Sequence, residues 1–333
     1  MHRQWLFHFQ RRSSAPVSPS RPLSLLLLLP LQTQRTSSRI SQSQIAAILE
    51  ARPIVDSDGK VCAVYGGIPD DVDFMENVHN PAVEALEQAR AEASISEART
   101  FHRRGNFAAI SGGVSYGGGK LRPGPVVNGV INATIFQSLI GNAAFIRLAG
   151  FASSLFATWA PNLFDFYVDY MGLFFSKYSD MCRPFLNSIW SACTFNLGPW
   201  TCALGHRDFA NLAFRWCSIT ALGFFDHVKG GHLILWDCKL ILEFPPGCTI
   251  LVPSAAIFHS NIPISMSERR YSFTQYTSGG IFRWVEHDFQ MEKQYFANLT
   301  KDQIKEEQEL GLQRAVDGAG LFSTIKELKS MAA

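Results

Sequence analysis

Between Phe195 and Tyr276 the chain alternates short β-rich runs with turn signals, and that pattern leaves few folds open. The runs are residues 217–222, 233–236, 240–244, 249–252, 256–259 and 271–276. Gly230-Gly231 and Pro245-Pro246-Gly247 punctuate them. Six or more short strands in about 90 residues predict a small barrel or sandwich. Upstream, residues 131–178 are apolar and aromatic at helical spacing. Arg147, Pro161 and scattered Asn and Asp interrupt them, so they predict packed helices and no membrane span. Asn80-Pro81 reads as an N-cap and first-turn proline ahead of a helix over 82–99. Helix returns over 301–314. The expected fold class is α+β, with helices packed around a β core.

Composition narrows the setting. Apolar residues make up 47% of the 333, enough for one large core. Of 30 Lys and Arg, six precede Glu50, where there is no acid; from Glu50 onward 24 face 28 Asp and Glu. Any nucleic-acid contact must therefore be a local patch. Lys120, Arg122, Arg103 and Arg104 are the candidates, with a solvated face as the plainer reading. The seven Cys form no CxxC pair, which argues against a disulfide framework or structural zinc and for buried thiols. Residues 1–45 are Ser-, Arg- and Pro-rich, with a short leucine run: a disordered or targeting tail, expected to be dispensable for catalysis. The Gly-rich run from Ser111 to Lys120 lacks the context of a dinucleotide loop or P-loop and reads as a connector or lid.

The chemistry concentrates downstream. His206-Arg207-Asp208 is placed after an expected strand over 193–204, and residues two apart in extended chain share a side. His259 ends another run, 51 residues after Asp208. Two His and one carboxylate with three positions open form the facial triad of non-haem Fe(II) oxygenases. Zinc is the rival ion, and His227 and His232 are rival ligands. Arg270 opens the last run. Alternation puts Arg270, Ser272, Thr274 and Tyr276 on one face and Tyr271, Phe273 and Gln275 on the other. Arg is suited to two-point binding of a carboxylate such as the distal one of 2-oxoglutarate. Arg269 is the alternative, one register step away.

These residues resemble a family. His206-x-Asp208, Gly230-Gly231-His232-Leu233, His259 and Arg270-x-Ser272 are similar to the motifs of 2-oxoglutarate dioxygenases. More narrowly, the chain resembles the TET/JBP-like enzymes of mushroom-forming fungi. The supporting phrases are Tyr116-Gly-Gly-Gly119, Arg147-Leu-Ala-Gly-Phe-Ala152, Trp159-Ala-Pro161, Phe195-Asn-Leu-Gly-Pro199 and Gly279-Gly-Ile-Phe-Arg-Trp-Val285. The resemblance implies a double-stranded β-helix (jelly-roll, cupin-like) core at about 193–285 within a dioxygenase domain over 106–290. A helical N-terminal extension over 46–105 and a C-terminal helical tail over 291–333 would flank it. It implies Fe(II), 2-oxoglutarate and O₂, and oxidation of the methyl group of 5-methylcytosine in DNA, with the base flipped out. Asn211 would contact the base, Tyr276 would stack on it, and Ser272 would assist Arg270. Ser278 stands where the pattern has a base-contacting His, and Arg215 where it has a small residue. A monomer and a nuclear address are expected, with a mitochondrial alternative from the Arg-rich start. A protein or small-molecule hydroxylase on the same fold, or an inactive relic, are the alternative functions.

Overall fold

The computed structural model describes residues 50–331 except 210, 212 and 213. The tail over 1–45 lies outside the described residues. The strands are β1 (Arg52–Val55), β2 (Val61–Gly67), β3 (Phe101–His102), β4 (Gly105–Asn106), β5 (Ala109–Ser115), β6 (Gly124–Pro125), β7 (Ala192–Asn196), β8 (Cys217–Phe224), β9 (Leu233–Leu235), β10 (Leu240–Leu242), β11 (Thr249–Val252), β12 (His259–Asn261) and β13 (Arg269–Tyr276). A main antiparallel sheet runs β1-β2-β11-β8-β13-β7-β5-β6, and a small one runs β10-β9-β12. The β3–β4 hairpin stands apart from both.

Period-two alternation decides what each face of the main sheet buries. Phe195, Leu222, Tyr271 and Phe273 pack with Phe136, Phe145 and Leu148 from the helices Val130–Gly141 and Ala143–Trp159. Ala63, Ala221, Ile250 and Val252 pack on the opposite side, with Leu233, Leu235, Leu240 and Leu242 of the small sheet. The order is therefore helices, main sheet, small sheet. The helix Pro161–Lys177 and the C-terminal residues Phe322, Ile325 and Leu328 close a second apolar cluster around Trp190, Trp216 and Leu251. Asn142 ends one helix and caps the next, its side chain accepting from the Ala144 amide at 2.9 Å. The two helices meet at 66°; no single described helix is long and apolar enough to cross a membrane.

Several elements depart from expectation. The segment over 46–105 is not wholly helical, because β1 and β2 join the main sheet there. Asn80 is not an N-cap: a π-helical turn, Met75–His79, runs straight into the helix Asn80–Glu92. That helix stops short of 99 because buried Asn132 takes both the amide and the carbonyl of Ser94, at 2.9 Å each. Half of the Gly-rich run is strand β5. At Gly112 a side chain would collide with the Phe136 ring, which lies on the backbone. The strand expected over 193–204 ends at Asn196. Gly198 takes a positive φ of 45°, and Pro199 has no N–H to donate to a ladder. The run over 256–259 pairs only from His259, because the Ile257 amide is turned back to Pro253 O at 3.0 Å.

Candidate metal centre

His206 and His259 meet across an isolated antiparallel bridge. The His206 amide donates to His259 O at 3.1 Å, and the His259 amide to His206 O at 3.0 Å. The Asp208 amide donates to Ser254 O at 2.9 Å, fixing the carboxylate beside the pair. The ligand atoms of His206, Asp208 and His259 all lie within 4.8 Å of one another. Two donors about 2.1 Å from a shared ion stand about 3–4 Å apart. His206 Nε2 and Asp208 Oδ1 are 3.7 Å apart. Among the described residues no other group of three His, Cys, Asp or Glu converges in this way. Of the rival ligands, His227 sits 3.3 Å from Glu243, and neither it nor His232 belongs to the converging group.

The imidazoles are held in the ligating form. His206 Nδ1 donates to Leu204 O at 2.7 Å and His259 Nδ1 to Ile257 O at 2.9 Å. A carbonyl only accepts, so each Nδ1 carries the proton and each Nε2 keeps its lone pair. Burial, then the neighbouring His259, pushes His206 down to about 4; burial also lowers His259. Both rings are neutral at pH 7, as ligation requires. Arg104 Nη2 stands 2.7 Å from Asp208 Oδ1. It is a charge contact without hydrogen-bond alignment, and Oδ1 has no aligned donor. The donor set fits a divalent ion.

Arg270 is 1% exposed. Nη1 donates to Thr201 O at 2.8 Å, while Nε and Nη2 are buried with no partner. Burial pushes the guanidinium down to about 10. Two orphaned donors on one edge of a buried guanidinium are costly unless an anion meets them, and that edge matches a carboxylate in two-point contact. Arg269, the neighbour one register step away, is half-exposed and pairs with Glu87 on the helix side. Ser272 Oγ accepts from Asn196 Nδ2 at 2.8 Å, which leaves its own proton free to donate. Arg270 also lies 5.8 Å from the Phe225 ring, which belongs to the apolar cluster between the sheets.

One extended segment joins the two parts. Thr201 bonds Arg270 through both its amide and its carbonyl, Ala203 O accepts from Asn261, and His206 pairs with His259. His206 follows Thr201 by five positions, roughly 16 Å at most along an extended chain.

Tyr276 lies on the same face of β13 as Arg270 and packs against the cluster between the sheets. Its hydroxyl is 3.4 Å from Thr194 Oγ1, which bonds Ser111 at 2.7 Å. Asn211 forms a turn after Asp208, its amide donating to Asp208 O at 2.9 Å and Nδ2 to Ser254 Oγ at 3.3 Å. Ser278 Oγ accepts from the Tyr116 amide at 2.9 Å and so ties β5 to β13. The basic cluster read from sequence divides. Arg104 is on Asp208, a contact 104 residues apart that no local pattern signals, while Lys120 ties its own loop through Ser115 and Pro125.

No family model matches the chain, and no curated protein matches it. Among solved structures it is similar to NgTET1 in complex with 5mC DNA, at 14% identity over 69% of this chain and 77% of that one, with a TM-score of 0.46. It is similar to an oxidoreductase of the 2OG-Fe(II) oxygenase family from Burkholderia pseudomallei, at 18% identity over 58% and 77%, with a TM-score of 0.34. A viral collagen prolyl hydroxylase from Paramecium Bursaria Chlorella virus-1, as its 2OG complex, matches at 13% over 26% and 57%, with a TM-score of 0.22. Each is a distant likeness in fold.

Proposed function

We propose that this chain is an Fe(II)- and 2-oxoglutarate-dependent dioxygenase on a double-stranded β-helix, and that it oxidises the methyl group of 5-methylcytosine in DNA. The order in which the chain visits the sheets supports the fold reading. From β7 it passes to the His206 bridge, then β8, then β9 and β10, then β11, β12 and β13, alternating between the main and small sheets.

The observation that carries the cosubstrate reading is Arg270, buried with two unpaired donors on the inner face of the sheet that packs on the triad strands. A zinc hydrolase would share the triad but has no use for that orphaned cation. Iron, 2-oxoglutarate and O₂ together supply oxidation of a C–H bond, with release of succinate and CO₂. The chain's own part is positional. His206, Asp208 and His259 would hold the ion and leave sites open, Arg270 and Ser272 would fix the distal carboxylate, and the apolar wall of Phe225, Ile250 and Leu235 excludes water.

The substrate reading rests on the motif resemblance and on Tyr276, whose ring shares the face of the cosubstrate arginine. Succinate release is to be measured with methylated, unmethylated and no DNA, together with the oxidised base. Stimulation by methylated DNA, with hydroxymethylcytosine formed, is the expected result; equal release in all three rejects this substrate. A protein or small-molecule hydroxylase is the second reading. It is favoured by the excess of 28 Asp and Glu over 24 Lys and Arg from Glu50 onward, and by Arg104, the basic residue beside the triad, being held on Asp208.

A further inference from the structure

Arg207, the residue between the first two metal ligands, bonds both strands of the centre at once. Its Nε donates to Ala256 O at 2.8 Å, three residues before His259. Its Nη2 reaches both carboxylate oxygens of Asp237, at 2.9 and 3.0 Å. Asp237 Oδ2 in turn accepts from the Phe258 amide, directly before His259. The Arg207 guanidinium lies 5.5 Å from the Phe258 ring, and that ring packs so closely on Gly205 that a side chain there would collide with it. Arg103 Nη1 adds a bond to Arg207 O at 2.9 Å. Both Arg207 and Asp237 are about a third exposed, at 36% and 34%. A pair so placed adds little to folding stability. What it does is tie the segment of His206 and Asp208 to the segment of His259 on the flank that their mutual backbone bridge leaves open.

We infer that Arg207 and Asp237 are positioning residues for the metal centre, setting the spacing between the His206–Asp208 segment and His259 without touching the ion. The inference rests on the metal reading above. Removing an outer partner of this kind weakens metal binding about ten- to a hundredfold. Lys at 207 would keep the charge but lose the fork that reaches Ala256 and Asp237 together.

The test is a calorimetric titration of the purified protein with Mn(II), alongside thermal melts. Wild type is expected to bind one ion and His206→Ala none. Arg207→Ala and Asp237→Asn should each bind about ten- to a hundredfold more weakly, with melting temperatures within about 4 °C of wild type. The double variant should be no more than about threefold weaker than the worse single, because the two act as one unit. Folded Arg207→Ala or Asp237→Asn protein that binds Mn(II) within twofold of wild type overturns the inference, as does full additivity in the double variant. Wild-type protein that binds no Mn(II) takes down the metal reading itself, and this role with it.

Discussion

Replacing Arg270 by Met separates a binding role from a structural one, because the two make opposite predictions for stability. The guanidinium is fully buried, its charge has no counterion, and Nε and Nη2 have no acceptor. Its value near 10, against an ordinary 12.5, corresponds to roughly 3 kcal/mol of uncompensated desolvation. The sign is that of a base depressed by burial, so the full penalty is present at neutral pH, below both values. Met fills a similar volume without the charge. Ligand-free Arg270→Met is therefore expected to gain about 1–3 kcal/mol, a rise in melting temperature of roughly 2–6 °C. The same substitution removes the anion site. Wild type at 2-oxoglutarate concentrations 100-fold above its Kd should gain about 2.7 kcal/mol, and the variant nothing. Arg270→Lys keeps the charge but not the fork. The loss of about 1.5–3 kcal/mol of charge-assisted bonding weakens the cosubstrate roughly tenfold to 150-fold. The assay is differential scanning calorimetry of three proteins with and without 2-oxoglutarate. An Arg270→Met protein that is destabilised when ligand-free and still stabilised by 2-oxoglutarate assigns Arg270 a structural role and rules out the anion site.

Other expectations follow from the same geometry. Tyr276→Ala should reduce DNA-stimulated turnover about ten- to a hundredfold, the worth of one base–aromatic stack. Tyr276→Phe should stay within about threefold, since its hydroxyl makes only a 3.4 Å contact with Thr194; equal losses in the two would assign the role to the hydroxyl. Phe273→Ala should cost about 3–5 kcal/mol in chemical denaturation, because the ring is fully buried between Phe145, Phe185 and Phe195. A cost below about 1 kcal/mol would mean that the alternation of β13 is misread. Arg215 is 1% exposed, with Cζ 3.0 Å from the Phe282 ring centroid, no hydrogen-bond partner for any nitrogen, and a value pushed down to about 9 by burial. Its desolvation outweighs a cation–π gain of about 2 kcal/mol, so Arg215→Met should stabilise the protein by about 1–3 kcal/mol. A lower denaturation midpoint in that variant counts against the assignment.

What was legible in the sequence was what repeats locally. The alternation in 270–276 separates Arg270, Ser272 and Tyr276 from Tyr271 and Phe273, and the structure keeps those faces apart. The spacing of His206 and Asp208 needs only an extended backbone, and His259 only the end of an apolar run. Illegible features depend on distant partners. Gly112 and Gly113 look like loop glycines, yet both are in β5, where the Phe136 ring lies on Gly112 and the Ser191 carbonyl and Pro184 crowd Gly113. Ser94 gives no stop signal of its own; Asn132, 38 residues on, supplies it. Arg104 on Asp208 and Arg207 on Asp237 span 104 and 30 residues with no periodic trace. Strand β1 has only four residues, and β2 is buried along all seven of its residues, so it carries no period-two alternation to read.

Whether His206, Asp208 and His259 hold iron beside a 2-oxoglutarate site is decided by succinate formation from 2-oxoglutarate by purified protein with Fe(II), in wild type and in His206→Ala/Asp208→Ala. Iron-dependent succinate release and one retained iron per chain are expected from wild type, and neither from the double variant, with both proteins folded. Stoichiometric iron and undiminished succinate release in the double variant would contradict this assignment.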